Sequence, residues 1–161
     1  MPPDKILADC EVRRLRRSGP GGQNRNKVET AVALHHKPSG VKAEANERRS
    51  QAENQTVAVF RLRINLALEV RQPREINVAP SSLLQSRLIG GKISISPSHD
   101  DFPAILAEVL DFLAAYQADV KATADHLGCT TSQLTKFLKQ EPRALLLVNR
   151  WREDQNLHRL Q

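Results

Sequence analysis

"SGPGGQNRN", residues 18–26, sets three glycines and a proline ahead of a glutamine, directly behind an arginine run at Arg13, Arg14, Arg16 and Arg17. Gly19, Gly21 and Gly22 open backbone angles closed to other residues, at roughly 1 kcal/mol each relative to alanine. An ordinary surface turn needs one such residue. Three around one proline point to a backbone that must take an unusual path or approach something closely. A phosphate-binding turn is the first alternative. However, Ser18 to Lys27 fits neither GxxxxGK[ST] nor GxGxxG, and the next expected helix begins only near Ser50.

Outward from the loop, EVRRLRR (11–17) reads as a short strand leading in. VETAVALHH (28–36) alternates, with Val28, Thr30, Val32 and Leu34 on one face. Lys37-Pro38-Ser39-Gly40 has proline second and glycine fourth, a tight-turn signal. VKAEAN (41–46) then resumes the alternation, so the pair predicts a β-hairpin. His35 and His36 point to opposite faces of such a strand and read as structural. Ser50 and Glu53 have capping-box spacing, so a helix starts there. Its stripe is Val57, Phe60, Ile64, Ala67 and Leu68, and it stops before Pro73.

Residues 72–98 carry Pro73, Pro80, Gly90, Gly91 and Pro97 and read as a connector, with KISIS (92–96) as a short strand. Asp100 and Asp101 are expected to cap a further helix with Pro103 in its first turn. Shorter helices follow at 119–128, after Thr130 or Thr131, and from Pro142 to about Leu157. The fold class is α+β: a small β-sheet with a packed helix over residues 1–71, a linker at 72–98, and an all-helical unit at 99–161.

Charge divides the same way. The net charge is +6, and residues 1–68 carry 13 Lys/Arg against 7 Asp/Glu, whereas residues 99–161 carry 7 against 9. A basic half that holds the glycine loop suits a polyanionic partner, bound in a salt-dependent way. No apolar run approaches the ~20 residues of a membrane span. Cys10 and Cys129 form no CxxC pair, and no histidine cluster has metal-ligand spacing. No metal or cofactor is expected, and both thiols read as structural in a reducing compartment.

The loop and its flanks resemble the catalytic domain of class I peptide-chain release factors and their ribosome-rescue relatives. The signature Ser-Gly-x-Gly-Gly-Gln-x-x-Asn falls on Ser18 to Asn26. The likeness runs on through Thr30-Ala31-Val32, His36, Pro38-Ser39-Gly40, Glu44 and Arg49-Ser50-Gln51. Arg25 departs from the small apolar residue of the pattern.

The resemblance implies hydrolysis of the ester joining a nascent peptide to the P-site tRNA. Gly21, Gly22 and Gln23 would be the catalytic residues. Arg13, Arg14, Arg16, Arg17, Arg25, Asn26, Lys27 and Arg49 would contact RNA. The implied partners are the ribosome, at the ribosomal RNA of the large-subunit peptidyl-transferase centre, and the P-site peptidyl-tRNA. The implied setting is cytoplasmic. Ser50 matches a family position near the root of the loop and also has cap spacing, and both roles stay open.

Nothing in the sequence is assignable to a stop-codon recognition domain. The helical unit has no family counterpart, and its partner is not readable. KATADHLGCTTSQLTKFLK (121–139) has a helix-turn-helix-like order, in which Thr131, Ser132, Gln133 and Lys136 would face DNA. The net acidity of that half weighs against a DNA reader. The remaining alternatives are a non-enzymatic RNA- or ribosome-binding factor and a helix-turn-helix DNA-binding regulator.

Overall fold

The computed structural model describes residues 3–15 and 30–161. The chain divides into two compact units, Met1–Glu69 and Val70–Gln161.

The first unit begins with helix α1 (Pro3–Ala8) and carries strands β1 (Cys10–Leu15), β2 (Ala31–His36) and β3 (Lys42–Ala45) in an antiparallel sheet of order β1-β2-β3. The register pairs Leu15 with Ala31 at one end of β1 and Cys10 with His36 at the other. The expected hairpin is β2–β3, with Val32 opposite Ala45. Gly40 closes its turn at φ +73°, where a side chain would be strained, and donates to the His36 carbonyl at 2.8 Å. The buried His36 ring meets Ser39 Oγ at 2.7 Å, so it braces the turn.

Helix α2 (Gln51–Glu69) packs on β2 and β3. The face it buries differs from the expected stripe. Asn54, Ala58, Val59, Leu62, Ile64 and Ala67 are buried, while Val57, Phe60 and Leu68 are half-buried. Asn54, Ala58 and Leu62 form an i, i+4, i+8 line. Alanines at 58 and 67 on the helix, and the buried Ala31 and Ala45 on the sheet, let the two surfaces approach closely. Large apolar residues beside that line are left at the flanks.

The second unit starts well before residue 99. Helix α3 (Ser82–Arg87) and strands β4 (Leu88–Ile89) and β5 (Lys92–Ile93) fall within the expected linker. Gly90 and Gly91, at φ +58° and +71°, supply the two positive angles of a two-residue hairpin turn. The strand expected over 92–96 is thus reduced to two residues.

Long-range polar ties explain why this stretch is no free tether. Helix α4 (Phe102–Ala115) presents two buried carboxylates, Glu108 and Asp111. Arg71 Nη1 reaches Asp111 Oδ1 at 2.9 Å, Arg74 Nη1 reaches Glu108 Oε1 at 3.3 Å, and the Ser81 amide donates to Glu108 at 2.7 Å. Burial pushes the Asp111 carboxyl upward and lowers the Arg71 guanidinium; the Gln72 amide, donating to Asp111 at 3.0 Å, and then the Arg71 charge oppose the shift of Asp111.

Asp101 occupies the cap position of α4 but makes no side-chain cap bond. Its carboxylate pairs with Arg87 at 3.0 Å instead. Helices α5 (Val120–Leu127), α6 (Thr131–Leu138) and α7 (Pro142–Asp154) complete the unit. Asp119 and Thr130 cap α5 and α6, and Gly128 ends α5. Among the described residues, no helix is long and apolar enough to cross a membrane.

Candidate functional site

The glycine-rich segment lies between β1 and β2 in sequence, and these strands are sheet neighbours. Residues 16–29 lie outside the described residues, and with them Arg16, Arg17, Gly21, Gly22, Gln23, Arg25, Asn26 and Lys27. Its frame is described. Pairing of Leu15 with Ala31 holds the two chain positions that flank the segment one strand spacing apart.

Arg13 and Arg14 are exposed on the edge strand β1. Successive strand residues alternate sides, so they face opposite ways. Arg13 Nε donates to Glu11 Oε1 at 2.8 Å. That bond, and the charge behind it, hold the Glu11 carboxyl below the usual carboxylate range. His35 stands opposite Glu11 in the register, with Nδ1 3.8 Å from its carboxylate. Arg14 thus projects without the tether that holds Arg13. Arg49 is exposed in the turn before α2. Ser50 sits at the helix start, its Oγ accepting from the Glu53 amide at a long 3.5 Å and its carbonyl accepting from Asn54 at 3.0 Å. The capping role is therefore occupied.

The residue that joins these parts is Asn54, which the sequence reading passed over. It is fully buried. Its Nδ2 donates to the Thr30 carbonyl at 2.7 Å and to the Arg48 carbonyl at 3.0 Å, and its Oδ1 accepts from the Arg48 amide at 2.9 Å. Thr30 is the residue through which the loop enters β2. One side-chain amide thus ties the loop's exit to the turn that carries Arg49. The available signal was an asparagine on the same helical face as Ala58 and Leu62, where an apolar residue is expected. A second clip lies nearby: Arg61 donates to the Glu44 carbonyl at 2.8 Å and to Glu47 Oε1 at 2.6 Å. No group of histidine, cysteine and acidic side chains that could hold a metal is present among the described residues.

A family model described as the RF-1 domain matches residues 6–89. The chain belongs to the RF-1 domain family. The match takes in the glycine loop and the strands that frame it, and runs on past Glu69 through α3 and β4. Three relatives are similar over this region. Peptide chain release factor PrfB1, chloroplastic, of Arabidopsis thaliana is 41% identical over 70 residues, which is 44% of this chain and 15% of that protein. Peptide chain release factor 1 of Anaeromyxobacter dehalogenans is 40% identical over 68 residues, 42% of this chain and 18% of that protein. Peptide chain release factor 1 of Chloroherpeton thalassium is 47% identical over 58 residues, 36% of this chain and 16% of that protein. This RF-1 domain chain therefore spans well under a quarter of the length of these curated relatives. No solved structure matches it.

Proposed function

We propose that the chain hydrolyses the ester between a nascent peptide and the P-site tRNA on cytoplasmic ribosomes, without reading a stop codon. The observation that carries the reading is the RF-1 domain match across residues 6–89, which contains Gly21-Gly22-Gln23. Gly21 and Gly22 let the backbone enter a narrow RNA-walled cavity where a Cβ would obstruct it. The backbone N–H of Gln23 then donates to the oxygen on which charge develops in the transition state. A preorganised donor of this kind contributes about 3 kcal/mol, or roughly 100- to 1000-fold in rate.

The Gln23 side chain shapes the site so that water, rather than a larger nucleophile, reaches the ester. Arg14, Arg16, Arg17, Arg25, Lys27 and Arg49 hold phosphates around the loop, as do Asn26 and, once freed from Glu11, Arg13. Such contacts position rather than specify. Asn54 acts one step back, by fixing where the loop re-enters the sheet.

The test is peptide release from purified ribosomes carrying labelled peptidyl-tRNA in the P site, with the A site empty or filled with mRNA. Release that needs no stop codon supports the reading. No release under either condition, by a chain that still binds ribosomes, leaves only an RNA-binding factor.

A further inference from the structure

The second unit carries little net charge, yet its cations are unevenly placed. Arg71, Arg74, Arg87, Arg143 and Arg159 are each paired with a carboxylate. Lys121, Lys136 and Lys139 are exposed and make no ion pair among the described residues. All three line one groove of about 630 Å³ within this unit, between the first turn of α5 and the length of α6. Arg152 adds a fourth positive charge from α7, held in place by donating to the Ala118 and His158 carbonyls at 2.7 Å each. The groove's one acidic side chain, Asp119, is engaged in accepting the Lys121 and Ala122 amides at 2.9 and 3.0 Å.

The α6 wall is polar along its whole length. Thr131, Thr135 and Lys139 repeat at four-residue spacing, with Ser132 and Lys136 beside them, while Leu134, Phe137 and Leu138 face inward. The Thr135 hydroxyl donates its proton to the Thr131 carbonyl at 2.8 Å, which leaves its oxygen free to accept. No aromatic side chain lines the groove, so it offers nothing for bases to stack on. It is also shallow and open, and Thr131, Ser132 and Lys136 share it with residues of two other elements, Lys121 and Arg152, rather than standing alone as a helix that enters the major groove would.

We propose that this groove binds the sugar-phosphate backbone of an RNA helix without regard to sequence. The three lysines and Arg152 neutralise phosphates. The hydroxyls of Thr131, Ser132 and Thr135 accept from ribose 2′-hydroxyls, which DNA lacks. The proposal names an RNA partner for the helical unit. It rests on the ribosomal reading only for where that RNA is found.

The experiment is a salt titration of the full chain on a labelled RNA hairpin, followed by fluorescence anisotropy. Lys121→Ala, Lys136→Ala and Lys139→Ala combined should lower the slope of log affinity against log salt by about 2 to 3, from roughly 0.7 to 0.9 per phosphate contact. All three side chains are exposed, so circular dichroism should be unchanged. Lys92→Ala with Arg150→Ala removes two exposed charges of the same unit outside the groove, and should leave the slope near its starting value.

An unchanged slope in the triple variant, or an equal loss in the control pair, overturns the proposal. Tighter binding of a DNA duplex of the same sequence overturns the assignment to RNA. Peptide release is scored separately. A chain that releases peptide while the triple variant keeps its slope refutes the groove alone. A chain that releases none while the variant loses RNA binding refutes the hydrolase alone.

Discussion

Among the described residues, the twelve largest fully enclosed side chains divide two to ten: Leu34 and Leu62 in the first unit, and ten in the second, among them Phe102, Phe112 and Phe137. Both units carry polar clips onto backbone carbonyls, Tyr116 to Ile76 and Arg152 to Ala118 in the second. In the first, such clips join the helix to the strands and turn around the glycine segment. Asn54 bonds Thr30 and Arg48, Arg61 bonds Glu44, and Asn65 bonds Lys42 at 2.8 Å. Apolar packing is non-directional and tolerates small shifts, whereas a hydrogen bond weakens steeply once its angle is lost. The unit that carries the loop is therefore held by contacts that specify position. The helical unit adds to its own directional contacts a larger enclosed apolar core, which supplies stability.

The largest expected effect tests the second half of that contrast. Phe137→Ala removes a ring that is 1% exposed and sits 5.5 Å from the Phe102 ring. It should destabilise the helical unit by about 3 to 5 kcal/mol. Thermal unfolding followed by circular dichroism reads it, with the midpoint of the helical transition falling. A loss under about 1 kcal/mol would mean that the ring is not the keystone its burial suggests.

Next comes the loop itself, where the expected effect is on rate and not on stability. Gly22→Ala should cut peptide release by about 100- to 1000-fold, the value of one preorganised donor, while ribosome binding and the melting curve stay as they were. Gln23→Ala keeps the backbone N–H and should be milder toward water, but it should admit larger nucleophiles. Release by Gly22→Ala at the unsubstituted rate would remove the mechanism.

Asn54→Ala should have a smaller effect than either, on stability and rate together. It leaves the Arg48 amide and the Thr30 carbonyl without their partner, at about 1 to 3 kcal/mol for such an unpaired buried group. Positioning is separated from plain destabilisation by kinetics at a temperature where the variant remains folded. The saturating release rate should drop while half-saturation holds, because a misplaced loop affects the transition state more than binding. Asn54→Asp keeps the acceptor for Arg48 but faces two carbonyls with an oxygen in place of a donor, so it should rescue nothing. A folded Asn54→Ala chain with a normal saturating rate would reduce the residue to a structural clip.

The contrast between the units also sorts what was readable from the sequence. The β2–β3 hairpin and the start of α2 were legible because alternation, a Pro-Ser-Gly turn and a helix cap are local signals. The expected linker was not, because Arg71 with Asp111 and Ser81 with Glu108 act across 40 and 27 residues of chain. The buried face of α2 was misread for a related reason. Small alanines on helix and sheet decide which face can close, and hydrophobic periodicity favours the larger neighbours. At the candidate site the loop was legible as a pattern of residues. Its tie to Asn54, 24 residues beyond Thr30, was not.

The smallest expected effect uses one reporter in each unit. Cys10 and Cys129 are both free and buried, and burial pushes both thiols above their ordinary value, helped by Asp9 in one case and Asp125 in the other. The reactive thiolate is therefore scarce in the native state, and alkylation at neutral pH must wait for local opening. If clips hold the first unit less firmly than packing holds the second, Cys10 should be labelled first. Mass spectrometry after timed addition of iodoacetamide reads the order. The pH dependence has a definite sign. A folded-state thiol with a raised value contributes stability that is complete below the unfolded thiol's value and is lost as pH rises through the folded one. Both units should therefore weaken slightly at alkaline pH, and both labelling rates should rise there. Phe137→Ala should speed labelling of Cys129 and leave Cys10 unchanged, since its effect falls on the helical unit alone. Labelling of Cys129 before Cys10 in the unsubstituted chain would reverse the assignment of stability to the helical unit.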